Sequence, residues 1–130
     1  MDQIDEIATP FFAALLSEVN GFLRESGSAR EAYSNGWMNP QGVGAYYLTI
    51  PGKDQIAETF DIGFSYRQKA NKIHFTFDVA HSDGAVLLEI MDRSISITEV
   101  STLEDLLAET YQANQTNIRD LITAFLNEHT

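Results

Sequence analysis

The chain has 130 residues, and its eight Lys and Arg against nineteen Asp and Glu give a formal net charge of −11. That balance argues against nucleic acid as a partner, because phosphate binding relies on cationic side chains displacing counterions, and it steers the protein towards basic surfaces. The absence of cysteine rules out a disulfide scaffold, a thiolate metal site and a cysteine nucleophile.

The length suits a single domain, residues 1–130, large enough to bury roughly two-thirds of its unfolded surface. The opening MDQIDEIATP carries acids before any base and lacks the apolar run of a signal peptide, so a cytoplasmic location is expected. No run of about eighteen apolar residues occurs, and no membrane association is expected.

Thr9 followed by Pro10 predicts a helix start, since proline fits the first turn, where no N–H is needed. Phe11, Leu15, Val19, Phe22 and Leu23 recur at helical spacing up to about Glu25, with Ile4 and Ile7 in a short lead-in turn and Gly27 as the stop. From Ser26 to Gly44, Ser, Gly, Asn and Pro accumulate, which predicts a loop in which Trp37 anchors against the core edge. Ala45 to Ile50 reads as a strand with Tyr46, Leu48 and Ile50 inward. A five-residue loop, Pro51 to Gln55, follows, with Gly52 in the left-handed conformation.

The stretch Phe60 to Val79 predicts a hairpin. Phe60, Ile62, Phe64 and Tyr66 share one face, and Ile73, Phe75, Phe77 and Val79 share one face of the returning strand. Inward residues are even on the first strand and odd on the second, so the loop must hold an even number of residues. Centring it on Lys69-Ala70 pairs Tyr66 with Ile73, Phe64 with Phe75, Ile62 with Phe77 and Phe60 with Val79. On the outer face this register sets Ser65 opposite His74, Gly63 opposite Thr76 and Asp61 opposite Asp78.

His81 to Gly84 is the next predicted turn, on the strength of Asp83-Gly84. Ala85 to Met91 forms a strand with Val86, Leu88 and Ile90 inward. Asp92-Arg93 turns the chain into a last strand, Ser94 to Val100, with Ile95 and Ile97 inward. Ser101 or Thr102 caps a C-terminal helix lined by Leu103, Leu106, Leu107 and Tyr111. The polar run Gln112 to Asn117 predicts a break or kink near Asn114, before a second helix carrying Ile118, Leu121, Ile122, Phe125 and Leu126. The architecture is α+β: an N-terminal helix, a five-stranded antiparallel meander, and a C-terminal helix or kinked helix pair, with the helices on one face of the sheet.

No catalytic set emerges, and the protein is not expected to be an enzyme. His74, His81 and His129 have no metal-ligand spacing, so neither a metal nor a cofactor is expected. Ser65 opposite His74 suggests a hydrolase, but Asp78 stands four residues from His74, roughly 13 Å along a strand, too far to orient the imidazole. The candidate partner-binding residues are those of the outer sheet face: Asp61, Ser65, Arg67, His74, Asp78 and Glu89. Like charges on an exposed face suit a basic partner.

In size, charge and element order the chain resembles small acidic immunity proteins of bacterial toxin–immunity systems of the contact-dependent inhibition type. The resemblance implies a non-catalytic, cytosolic protein that neutralises a cognate toxin, often a basic nuclease, through an acidic surface. Two alternatives are a type III secretion chaperone binding an effector, and a small-molecule-binding domain with the ligand between sheet and helices. The first lacks room for its usual middle helix, because only a short turn joins the third and fourth predicted strands. A homodimer is compatible with either class of protein-binding function.

Overall fold

A computed structural model describes residues 2–52 and 58–128. Helix α1 (Asp2–Glu25) leads into five strands, β1 (Tyr33–Met38), β2 (Val43–Pro51), β3 (Thr59–Lys69), β4 (Lys72–His81) and β5 (Val86–Ser96). A short 3₁₀ segment (Ile97–Thr102) then feeds helix α2 (Leu103–Glu128). The strands form one antiparallel sheet in the order β1-β2-β3-β4-β5. This is the α+β meander expected, with both helices on one face.

The strand count of five is met by different strands from those predicted. The expected loop from Ser26 to Gly44 contains β1, which pairs Gly36 with Tyr46 and Trp37 with Ala45. Conversely, Asp92 and Arg93 make no turn. They continue β5 opposite Thr76 and Phe75, so the two last predicted strands are one. Ser96, not Ser101 or Thr102, provides the cap: its side chain accepts from the Thr98 N–H while Glu99 reaches back to the Ser96 N–H.

The central hairpin keeps the predicted faces and moves the register by two residues. Tyr66 lies opposite Phe75, Phe64 opposite Phe77, and Lys69 opposite Lys72. The tight loop is therefore Ala70-Asn71, with Ala70 at φ 54°. Two registers with the same parity bury the same side chains and leave a two-residue loop; the observed one puts Ala70, in the left-handed region, at the first loop position. Between β2 and β3, Ile50 pairs with Phe60, again with the expected parity. The predicted turn there lies mostly on residues 53–57, and His129 on the last two residues, all outside the described ones. Gly52 is not left-handed; it is needed because an added Cβ would stand 2.6 Å from the Glu58 carbonyl oxygen.

Both helices run longer than the sequence suggests. α1 passes straight through Pro10. Ile4 and Ala8 are fully buried in register with Phe12, Leu15, Val19 and Leu23, and that burial outweighs the one hydrogen bond proline removes. Thr9 donates to Asp5 instead of capping. The helix ends as expected at Gly27 (φ 79°), where Ser28 N–H reaches the Leu23 carbonyl and Gly27 N–H the Arg24 carbonyl.

α2 is unbroken at Asn114. Its buried stripe of Leu103, Leu107, Tyr111, Ile118, Ile122 and Phe125 continues through the polar run because α1 supplies polar partners there. The Glu18 carboxylate accepts from Tyr111, Gln115 and Arg119, and the Arg119 guanidinium sits 5.1 Å from the centre of the Phe22 ring. Burial and the Glu18 charge hold the Tyr111 phenol well above the usual range.

The core fills the space between helices and sheet with interlocked rings. Phe77 meets Phe11 at 6.0 Å and Phe12 at 6.5 Å, Phe64 meets Phe75 at 5.8 Å, and Phe60 meets Phe125 at 5.6 Å. Phe60, Phe64, Phe75 and Phe77 are wholly buried, with Tyr46 and Tyr66 nearly so. The aromatics that could have walled a cavity are packing against one another.

Candidate functional site

Helices cover only one face of the sheet, so the other is the open surface on which a site can be built. Residues paired across antiparallel strands point to the same side, and the register therefore fixes the rows of this face. One row runs Asn35, Tyr47, Gly63, Asp78, Glu89, and the next Trp37, Ala45, Ser65, Thr76, Asp92. A third runs Tyr33, Thr49, Asp61, Ala80, Val86, and a fourth Val43, Arg67, His74, Ser94.

All six predicted residues lie on this face, but they divide into two groups. Asp61, Asp78 and Glu89 occupy one end. Ser65, Arg67 and His74 occupy the other, beside Trp37 and Tyr47, around a shallow depression of about 250 Å³.

At the acidic end, Asp61 is not opposite Asp78, as expected, but opposite Ala80; Asp78 stands opposite Gly63 on one side and Glu89 on the other. The two-residue register change is the reason. Asp61 is well satisfied: it accepts from Thr49 Oγ1 at 2.7 Å and Thr59 Oγ1 at 3.1 Å. Asp78 has no hydrogen-bond or ion-pair partner among the described residues. Burial first, and the Glu89 charge second, push its carboxyl above the usual aspartate range. Neither Arg67 nor Arg93 forms an ion pair with these acids. Arg93 stands opposite Phe75, on the helix-facing side of β5.

At the other end, Ser65 stands opposite Thr76 and not, as the sequence register predicted, opposite His74. Ser65 shares a hydrogen bond with Thr76 at 2.8 Å. His74 instead uses β5: Nδ1 lies 3.0 Å from Ser94 Oγ and Nε2 3.1 Å from Asp92 Oδ1. Hydroxyl, imidazole and carboxylate stand in the order of a proton relay. The His74 and Asp92 side chains are 55% and 47% exposed, so the trio works in bulk water without the dry surroundings that give a relay its power.

The sequence reading missed the aromatic part of the face. Tyr33, Trp37 and Tyr47 are 48%, 50% and 37% exposed. Trp37 is no loop anchor; it lies over the sheet opposite Ala45, which is itself buried. Tyr47 lies across Gly63, where an added Cβ would meet its ring at 3.1 Å. Tyr47 was legible as an odd-numbered residue on a strand whose even residues point inward. Val86, expected inward with Leu88, is 58% exposed because the second of two bulges in β5 lies between them. Met91 pairs with Phe77 and Glu89 with Asp78, leaving Ile90 extra; Leu88 pairs with Val79 and Val86 with Ala80, leaving Leu87 extra.

Among the described residues, no group of three or more His, Asp or Glu could hold a metal ion, and no helix is long and apolar enough to cross a membrane. No protein-family model, curated protein sequence or solved structure matches the chain.

Proposed function

We propose that the protein binds another protein through the open sheet face, as an immunity protein that neutralises a cognate basic toxin in the cytoplasm and catalyses nothing itself. The observation that carries this reading is one surface holding exposed Tyr33, Trp37 and Tyr47 beside the unpaired carboxylates of Asp78 and Glu89. Exposed Trp and Tyr are the residue types that dominate binding energy at protein interfaces. Carboxylates beside them steer a cationic partner and fix its orientation. An Arg or Lys from a toxin placed between Asp78 and Glu89 would relieve their mutual repulsion.

The chaperone alternative is weaker, since β4 and β5 are joined by the turn at His81 to Ala85 with no helix between them. Co-expression with the product of the adjacent gene, followed by calorimetry on the complex, tests the proposal. Trp37→Ala should weaken binding by about 2 kcal/mol or more, roughly thirtyfold in Kd. Asp78→Lys should slow association and steepen with falling salt. Unchanged affinity in both variants would remove this face from the interface.

A further inference from the structure

The sheet has two edges, and they are built differently. β5 has the features that keep an edge from pairing with another chain: two bulges, and Arg93 turned to the core side. β1 has none of them. Its sequence, Tyr-Ser-Asn-Gly-Trp-Met, carries no charge, proline or bulge, and all six residues are exposed. Nothing among the described residues pairs with its free side.

Beside that edge lies a groove of about 470 Å³, bounded by Asp5, Thr9 and Phe12 of α1, Tyr46 of β2, and β1 from Ser34 to Met38. Gly36 opens it, since a Cβ there would stand 2.6 Å from the Tyr46 ring. Asp5 is its polar element. Tyr46 OH donates to Asp5 Oδ1 at 2.8 Å and Thr9 Oγ1 donates to the same oxygen at 3.1 Å. Oδ2 of Asp5 accepts from none of the described residues, so the groove offers one carboxylate oxygen to an incoming donor.

We propose that β1 accepts an extended segment of a basic partner protein as a sixth strand, with a Lys or Arg side chain entering the groove to meet Asp5. In strand addition the main chain supplies the affinity and pockets for alternate side chains supply the specificity. Here the free edge is the first part and the groove is the second. A second copy of the chain does not fit as well. Its own Tyr33–Met38 strand brings no cation for Asp5, and two bodies of net charge −11 repel.

The test uses the intact protein and a synthetic peptide, Thr-Val-Thr-Lys-Thr-Val-Thr, whose lysine shares a face with its valines. One control replaces the lysine with glutamate; another, Thr-Val-Lys-Val-Thr-Val-Thr, moves the same charge to the opposite face. The first peptide should bind with a Kd below about 1 mM and protect the Tyr33–Met38 amides from hydrogen exchange. Asp5→Asn keeps the oxygen that accepts from Tyr46 and Thr9 and should weaken this peptide about tenfold, with an unchanged melting temperature. Equal binding of all three peptides, protection on β5 instead, or ultracentrifugation showing that the protein alone dimerises through β1 would each overturn the proposal. The titration involves no toxin and no residue of the acidic end of the open face, so its failure is distinguishable from failure of the open-face reading.

Discussion

Asp78→Asn should stabilise the isolated protein at neutral pH, which is unusual for a substitution on a regular strand. Asp78 is half-buried, lacks a hydrogen-bond or ion-pair partner among the described residues and faces Glu89 across the β4–β5 ladder. Like charges directly opposite cost about 0.2–1 kcal/mol. Desolvation adds to this, but the group is exposed enough for solvent to screen much of it, so the expected gain is about 0.5–1 kcal/mol. For a domain of this size that raises Tm by roughly 2–4 °C. The pH dependence follows from the direction of the shift. The folded carboxyl holds its proton to higher pH than the unfolded one, so folding takes up a proton between the two values. Stability therefore falls as pH rises through that window, and the gap between variant and parent opens with it. Thermal melts by circular dichroism at about pH 7 should show the gap, and melts at about pH 3 should show it nearly closed. Glu89→Gln should give a similar gain, and the double variant less than the sum, since either change removes the same repulsion. Asp61→Ala is the contrasting case: it strips the acceptor from two hydroxyls and should cost about 1–2 kcal/mol. If Asp78→Asn destabilises, or the gap persists undiminished in acid, the electrostatic account of this face is wrong.

Two further substitutions probe the scaffold. Gly44→Ala should destabilise by about 1–3 kcal/mol, read from urea melts, because the new Cβ would lie 2.5 Å from a Tyr66 ring that is almost fully buried. Gln112→Pro, in the polar run of α2, should cost about 3 kcal/mol or more if the helix is continuous there, and little if the chain were kinked at that point; calorimetric unfolding distinguishes the two.

What the sequence disclosed and what it hid have separate physical causes. Parity along β2, β3 and β4 was legible because a buried face demands alternation, and a slip by one residue would turn every phenylalanine outward. A slip by two leaves the same faces buried, so alternation alone could not choose between Tyr66 opposite Ile73 and the observed Tyr66 opposite Phe75. β1 was hidden because two of its three inward positions are Ser34 and Gly36, while its aromatics, Tyr33 and Trp37, face outward. Gly36 is there to admit the Tyr46 ring, a tertiary reason that no local pattern reveals. The continuity of α2 was hidden for a related reason. Gln115 and Arg119 look like solvent-facing residues, and only the packing of α1 brings Glu18 to them. The site was half legible: the face could be deduced, and Tyr47 with it, but Tyr33, Trp37 and the Asp78–Glu89 opposition depended on the missing strand and the bulges.

The distribution of departures from ordinary packing bears on the proposed binding surface. On the helix-facing side rings interlock, a buried stripe runs the length of α2 and α1 ends in a glycine cap. The departures there are Pro10 inside α1 and the buried Tyr66 hydroxyl and Arg30 Nη1, which have no hydrogen-bond partner among the described residues. On the open face and at the β1 edge ordinary packing is broken repeatedly. Trp37 and Tyr33 sit half in water, Asp78 is left unpaired against Glu89, and the β1 ladder ends with no charge to guard it. Each departure alone costs little, and scattered over a surface they would carry no message. Gathered on the open face and along the β1 edge, they support the proposed binding role, in which a partner would cover the aromatic rings, neutralise the acid pair and join the strand. Asp78→Asn and a lysine in β1 would each favour the isolated fold, and the absence of both changes supports the proposal that this side of the molecule binds a partner.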